Sequence, residues 1–287
     1  MSVFLEHAAR GRTAAWRYVA TLVLASFIVF AAGVMLVFGL AIAGVSPDVL
    51  ATEMAQPTRP TTFFATTGVS FGLVVVALVA AAWVIQHKRL GDLTGRWSWR
   101  MAAAAAGCWA VVLIGANLID ALIAPAGFRI TASTATVGLA LAALPALAVQ
   151  TFAEELLFRG YLTQGLLLAF KRPVAAAVVS ALLFGAAHIP NGAPQAVGAV
   201  AFGLATALIA IRTGGIAFTW GMHLVNNLVG AVVLVSADDV FRGSPALITQ
   251  HTPQLMWWDT GVEVVGLLLV TTLVLRRPRP AAATPDR

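Results

Sequence analysis

Thr151–Leu162 reads TFAEELLFRGYL. It sets two adjacent carboxylates, Glu154 and Glu155, and the cation Arg159 inside one of the most apolar parts of the chain. An ionised side chain at the centre of a bilayer costs roughly 2.5–3.5 kcal/mol on insertion scales, so such groups face a cavity or one another. What this stretch means therefore depends on whether its surroundings are membrane.

The composition answers that. The chain has 287 residues, of which 60% are hydrophobic and 10% charged, against about 25% charged in soluble domains. So few polar residues cannot cover the surface of a soluble protein of this size, and the chain reads as an integral membrane protein. Apolar runs fall at 19–44, 62–85, 101–124, 134–170, 173–189, 195–211, 214–235 and 259–276. With about 20 residues needed per span, the expectation is an all-α polytopic transmembrane helical bundle of about eight spans. It forms a single membrane domain over 1–287, with a Pro-rich, disordered cytoplasmic tail at 278–287. The run 134–170 is too long for one span, and Pro145 is expected to kink it, with its last part along the interface. The run 173–189 is short and stops before Pro190.

Basic residues alternate between the connecting loops. Arg10, Arg12 and Arg17, then Lys88, Arg89, Arg96 and Arg100, then Lys171 and Arg172, then Arg212, then Arg276, Arg277 and Arg279 all fall on one side of an eight-span chain. The opposite loops carry Arg59, Arg129 and Arg242 beside Asp48, Glu53, Asp238, Asp239 and Asp259. This bias puts both termini in the cytoplasm of a multi-pass cell-membrane protein. It also accounts for the net charge of +6, with anionic lipid headgroups as the partner. No basic patch suited to nucleic acid is visible. The one cysteine, Cys108, lies inside a span, which excludes an internal disulfide framework and a Cys-based metal cluster.

The ionisable groups within the spans remain. Asp120 and Glu263 sit near span ends, where water or snorkelling satisfies them. Glu154, Glu155, Arg159, His188 and His223 fall in three segments, with Asn117, Asn226 and Asn227 as neutral company. Glu155 and Arg159 are four apart in the favourable order and share a helix face, so they read as a structural ion pair. Glu154 lies about 100° round the helix and is free to act as a general base. His223 and Asn227 share a face at the same spacing, and Phe184 stands one turn before His188. Depths of roughly 25 Å for Glu154 and 24 Å for His188 from Lys171/Arg172 allow one shared cavity, with His223 and Asn227 about 14 and 20 Å from Gly214.

Three motifs thus stand in order on three apolar segments: EELLFR (Glu154, Glu155, Arg159), FGAAH (Phe184, His188) and HLVNN (His223, Asn227). They resemble the EExxxR, FxxxH and HxxxN/D motifs of the CPBP family, the CAAX proteases and bacteriocin-processing enzymes also called the Abi family. The resemblance covers roughly 130–235, which would be the catalytic core. It implies an intramembrane endopeptidase acting on a membrane-associated peptide or protein. By analogy with type II CAAX prenyl endopeptidases, Glu154 and His188 would activate a water, and His223 and Asn227 would stabilise the oxyanion. No cofactor is expected in this reading. The alternative is zinc held by Glu154, His188 and His223, although HExxH is absent and Asn227 is a poor zinc ligand. A proton-coupled carrier would use the same groups as a relay, but it predicts two matching halves with broken spans, which the sequence does not show. A non-catalytic scaffold or immunity protein would keep the fold, and the intact motifs argue against it. A serine mechanism lacks a GxSxG.

Overall fold

The structure is a computed structural model that describes residues 3–46, 48–49, 51–52, 60–236, 239–252 and 255–277. The tail expected at 278–287 lies outside the described residues, as do Glu53, Arg59, Asp238 and Arg279 of the charge pattern.

Each apolar run of the sequence becomes helix. In chain order these are α1 (Val3–Ala8), α2 (Ala15–Ile42), α3 (Pro60–Gln86), the short α4 (Leu90–Thr94), α5 (Trp99–Ile123) and α6 (Thr134–Glu155). They are followed by α7 (Thr163–Phe170), α8 (Pro173–Ala187), α9 (Ala193–Thr213), α10 (Ala217–Leu228) and α11 (Leu255–Arg276). Among the described residues six helices are long and apolar enough to cross a bilayer: 15–42, 62–86, 99–123, 134–170, 193–213 and 256–276. The other two runs, α8 and α10 with its extension, are shorter. The protein is an all-α polytopic membrane bundle. Its outward faces carry bare Phe27, Phe38, Leu122, Leu141 and Leu268, a surface that only hydrocarbon suits.

The long run 134–170 stays helical throughout, with Pro145 inside α6. Its winding changes at Leu156–Leu162, a π-helical segment that joins α6 to α7. In the wider winding the Phe158 carbonyl accepts the Thr163 N–H, and Thr163 Oγ1 (2.8 Å) and Ser180 Oγ (2.9 Å) donate to it as well. Such π segments recur at functional sites. Gly160 lets this segment pass close to α4, since a Cβ there would stand 2.6 Å from the Leu93 carbonyl oxygen. Gly221 does the same for α10 against α5, where a Cβ would run into the carbonyl of Ala102. Small residues that bring backbones together are how helices pack without a hydrophobic driving force.

The two ends of the bundle differ. At one end Arg12 N–H donates to the Gln86 carbonyl (2.7 Å), Arg96 N–H to Gly214 (2.8 Å), and Arg212 Nη2 to the Leu275 carbonyl (2.9 Å). The basic loops therefore gather there. At the other end three short strands tie the loops together: β1 (Phe128–Ile130), β2 (Leu234–Ser236) and β3 (Ile248–Gln250). The central β3 is antiparallel to β1, with Arg129 opposite Thr249, and parallel to β2, with Val235 opposite Thr249. Nothing in the apolar pattern had pointed to these strands.

Candidate active site

The three motif segments meet on the inside of the bundle. Glu154 and Glu155 end α6, Arg159 lies in the π segment, His188 caps the C-terminus of α8, and His223 and Asn227 belong to α10. A cavity of about 730 Å³ opens among these helices toward the strand end, and Glu154, His188, His223 and Asn227 all line it.

The two glutamates have different surroundings. Arg159 Nη1 lies 3.1 Å from Glu155 Oε1 with both side chains fully buried. Arg159 Nε donates to Thr206 Oγ1 (2.9 Å), and its guanidinium lies 4.2 Å over the ring of Phe184. Phe184 in turn packs against His188 with the rings tilted by 53° and their centroids 4.4 Å apart. The Phe of the second motif therefore separates the buried cation from His188 and offers the cation its ring face.

Glu154 instead reaches the cavity and accepts a hydrogen bond from Gln150 Nε2. Gln150 Oε1 accepts from Asn227 Nδ2 (2.9 Å), Asn227 Oδ1 from Asn226 Nδ2 (3.5 Å), and Asn226 Oδ1 from Trp109 Nε1 (3.0 Å). Four donors thus point one after another toward a single carboxylate, an arrangement in which each bond polarises the next. Sequence reading passed over Gln150. Its signal was its place four residues before Glu154, one turn along the same face.

The histidines are also oriented. His188 Nδ1 lies 2.8 Å from the Phe184 carbonyl, which can only accept. Nδ1 therefore carries a proton, which leaves Nε2 as the nitrogen available to the cavity that His188 lines. His223 sits between the glutamates, with Nδ1 3.0 Å from Glu155 Oε1 and Nε2 3.5 Å from Glu154 Oε2. Glu155 therefore holds both the arginine and this histidine. No hydrogen bond joins Glu154 directly to His188. The two face each other only through the cavity. Among the described residues no group of three His, Cys, Asp or Glu side chains is placed to hold a metal ion.

Asp120 departs from its expected place in water at a span end. Asp120 is buried at 2% exposure, and Glu263 lines the same cavity as the motif residues. The bundle closes over the end of α5, so a position near a span end in sequence is an interior one here.

Residues 136–229 match the family described as type II CAAX prenyl endopeptidase Rce1-like, a range that contains all three motifs. A relative in Bacillus subtilis (strain 168), the uncharacterized protein YyaK, is 30% identical over 168 residues, or 56% of this chain and 56% of that protein. The chain thus spans about half the length of that curated relative. No solved structure matches.

Proposed function

From the Rce1-like core at residues 136–229, we propose that this multi-pass membrane protein is an intramembrane endopeptidase. Its substrate is a membrane-associated peptide or protein. The observation that carries the reading is the convergence of Glu154, His188, His223 and Asn227 on one cavity inside an apolar bundle. Glu154, opposite His188 Nε2, takes a proton from water, and the resulting hydroxide adds to the scissile carbonyl. Asn227 has a second amide N–H beyond the one given to Gln150, and it donates to the new oxyanion. In the same role His223, held by Glu155 through Nδ1, offers its Nε2 side to the oxyanion. Each preorganised donor of this kind is worth about 2.7–4 kcal/mol. The proton held at Glu154 then passes to the leaving amine as the carbon–nitrogen bond breaks.

The reaction as proposed uses no metal. Among the described residues no three His, Cys, Asp or Glu side chains are placed together to hold an ion, and Asn227 is a poor zinc ligand. The test combines a measurement in cells expressing wild type or variant with one on purified protein in lipid nanodiscs. Glu154→Gln should abolish cleavage of endogenous membrane proteins, read by quantitative membrane proteomics, while the fold survives. Strong chelation should leave wild-type activity intact. One zinc per chain that is lost with activity and restores it would move Glu154, His188 and His223 to ligand roles.

A further inference from the structure

The cavity is lined by four carboxylates, Glu154, Asp239, Asp259 and Glu263, and no Lys or Arg is among its described lining residues. Arg159 lies behind it, buried against Glu155. Arg242 Nη1 donates to the Asp239 carbonyl at 3.4 Å, and its charge bears on the Asp239 carboxylate. Glu154 has its amide donor and its histidine. Asp259 and Glu263 have no such role. They stand four apart on α11, on one face, where like charges weaken a helix rather than support it.

The surroundings of this pair leave room for a ligand. Glu263 Oε2 lies over Gly198, 3.5 Å from where a Cβ would stand, and Glu263 is within electrostatic reach of His223. The Asp259 carboxyl adjoins that of Asp120. Asp120, almost fully buried, keeps Oδ1 without any hydrogen-bond partner. Acidic groups gathered in low dielectric, with no Lys or Arg among the described lining residues of the cavity to pair them, are costly. A positive charge brought in by a ligand would relieve that cost. A divalent cation is disfavoured, because among the described residues no three acidic or imidazole groups are placed to hold one.

We propose that Asp259 and Glu263 form a subsite for a cationic side chain, the ammonium of Lys or the guanidinium of Arg, on a peptide bound beside the scissile bond. This rests on the reading of the cavity as a protease site and adds to it the class of residue the substrate carries. Both residues lie outside 136–229, so the subsite is a feature of this chain beyond its Rce1-like core.

The test uses the full chain in neutral-lipid nanodiscs, carrying Glu154→Gln so that bound peptide stays intact. A membrane-inserted, fluorophore-labelled peptide is made with a single lysine moved along an otherwise neutral sequence, beside norleucine and glutamate versions. Lysine should bind about tenfold or more tighter than norleucine, at one narrow register only. Asp259→Asn with Glu263→Gln should bring that ratio close to one. If the double variant fails to fold, each single change should lower the ratio part of the way. Equal binding of lysine and norleucine overturns the proposal, as does a lysine preference at every position or one that survives the substitutions. With Glu154 restored, a lysine preference without cleavage would leave the subsite and remove the protease. Cleavage without preference would do the reverse.

Discussion

Glu155 keeps its carboxylate 3.1 Å from Arg159 and 3.0 Å from His223 at zero exposure, while Glu154, one residue earlier, lines the cavity. Substituting each should therefore cause a different loss. Glu154→Gln keeps shape and removes a base, so activity should vanish with little change in thermal stability in detergent. Glu155→Gln strands a buried guanidinium, a defect of about 3–5 kcal/mol, so folded protein and activity should fall together. Adding Arg159→Met should restore part of the stability because no lone charge remains. If Glu154→Gln unfolds the protein and Glu155→Gln only silences it, the two roles are reversed. Gln150 is the residue whose importance only the fold shows. As the donor to Glu154 and the acceptor for Asn227, it positions both. Loss of a hydrogen bond to a charged group, about 1.5–3 kcal/mol, corresponds to about a 10- to 100-fold fall in kcat for Gln150→Leu. KM should change little, and Gln150→Asn should recover only a fraction. A matching rise in KM would mean that Gln150 contacts substrate instead.

At the level of elements, what the sequence revealed follows from the range of the interactions. The run 62–85 matches α3, Pro60–Gln86, and 173–189 matches α8, Pro173–Ala187, because hydrocarbon thickness and local apolarity set those limits. Glu155–Arg159 and Phe184–His188 were legible because four-residue spacing is local to one helix. The Trp109–Asn226 bond spans 117 residues, and β1 pairs with β3 across a comparable distance in chain. No periodicity encodes either. The docking of α1 was likewise unreadable. Phe4 and Ala8 are fully buried, and Lys88 Nζ donates to the Ala8 carbonyl (2.8 Å) and Gln164 Oε1 (3.2 Å). Burial draws the Lys88 ammonium down from 10.5 to about 8, against an upward pull from Asp92. Between those two values the unfolded chain holds more protons than the folded one, so this group makes stability rise with pH across that window and adds no slope well below it. The unfolding midpoint in detergent should climb from about pH 8 toward pH 10. Lys88→Met should flatten that climb. An identical climb in the variant would assign it to another group.

Across the whole molecule, the charge pattern and the cavity together predict one orientation. Arg12, Lys88, Arg96, Arg212 and Arg276 collect at the end where α1 docks, and the cavity opens toward the opposite, stranded end, past Asn191, Gln195 and Asp239. Lys and Arg bias short loops toward the cytoplasm by a kinetic and electrostatic barrier to their translocation. The basic end should therefore be cytoplasmic and the cavity should face the other side. A substrate would then be cut near the non-cytoplasmic surface of the bilayer, where acidic Asp239 and Asp259 stand at the mouth. Reporters fused at two positions test this on the intact chain. A fluorescent protein that matures only in the cytoplasm should light up after Arg277, and a phosphatase active only outside should work when inserted after Gly243. Fluorescence at the Gly243 site, or phosphatase activity after Arg277, would invert the orientation and put the cavity mouth in the cytoplasm. The two fusions must agree, because Arg277 and Gly243 follow opposite ends of the bundle. Both reporting the same side would mean that a run taken as spanning does not cross.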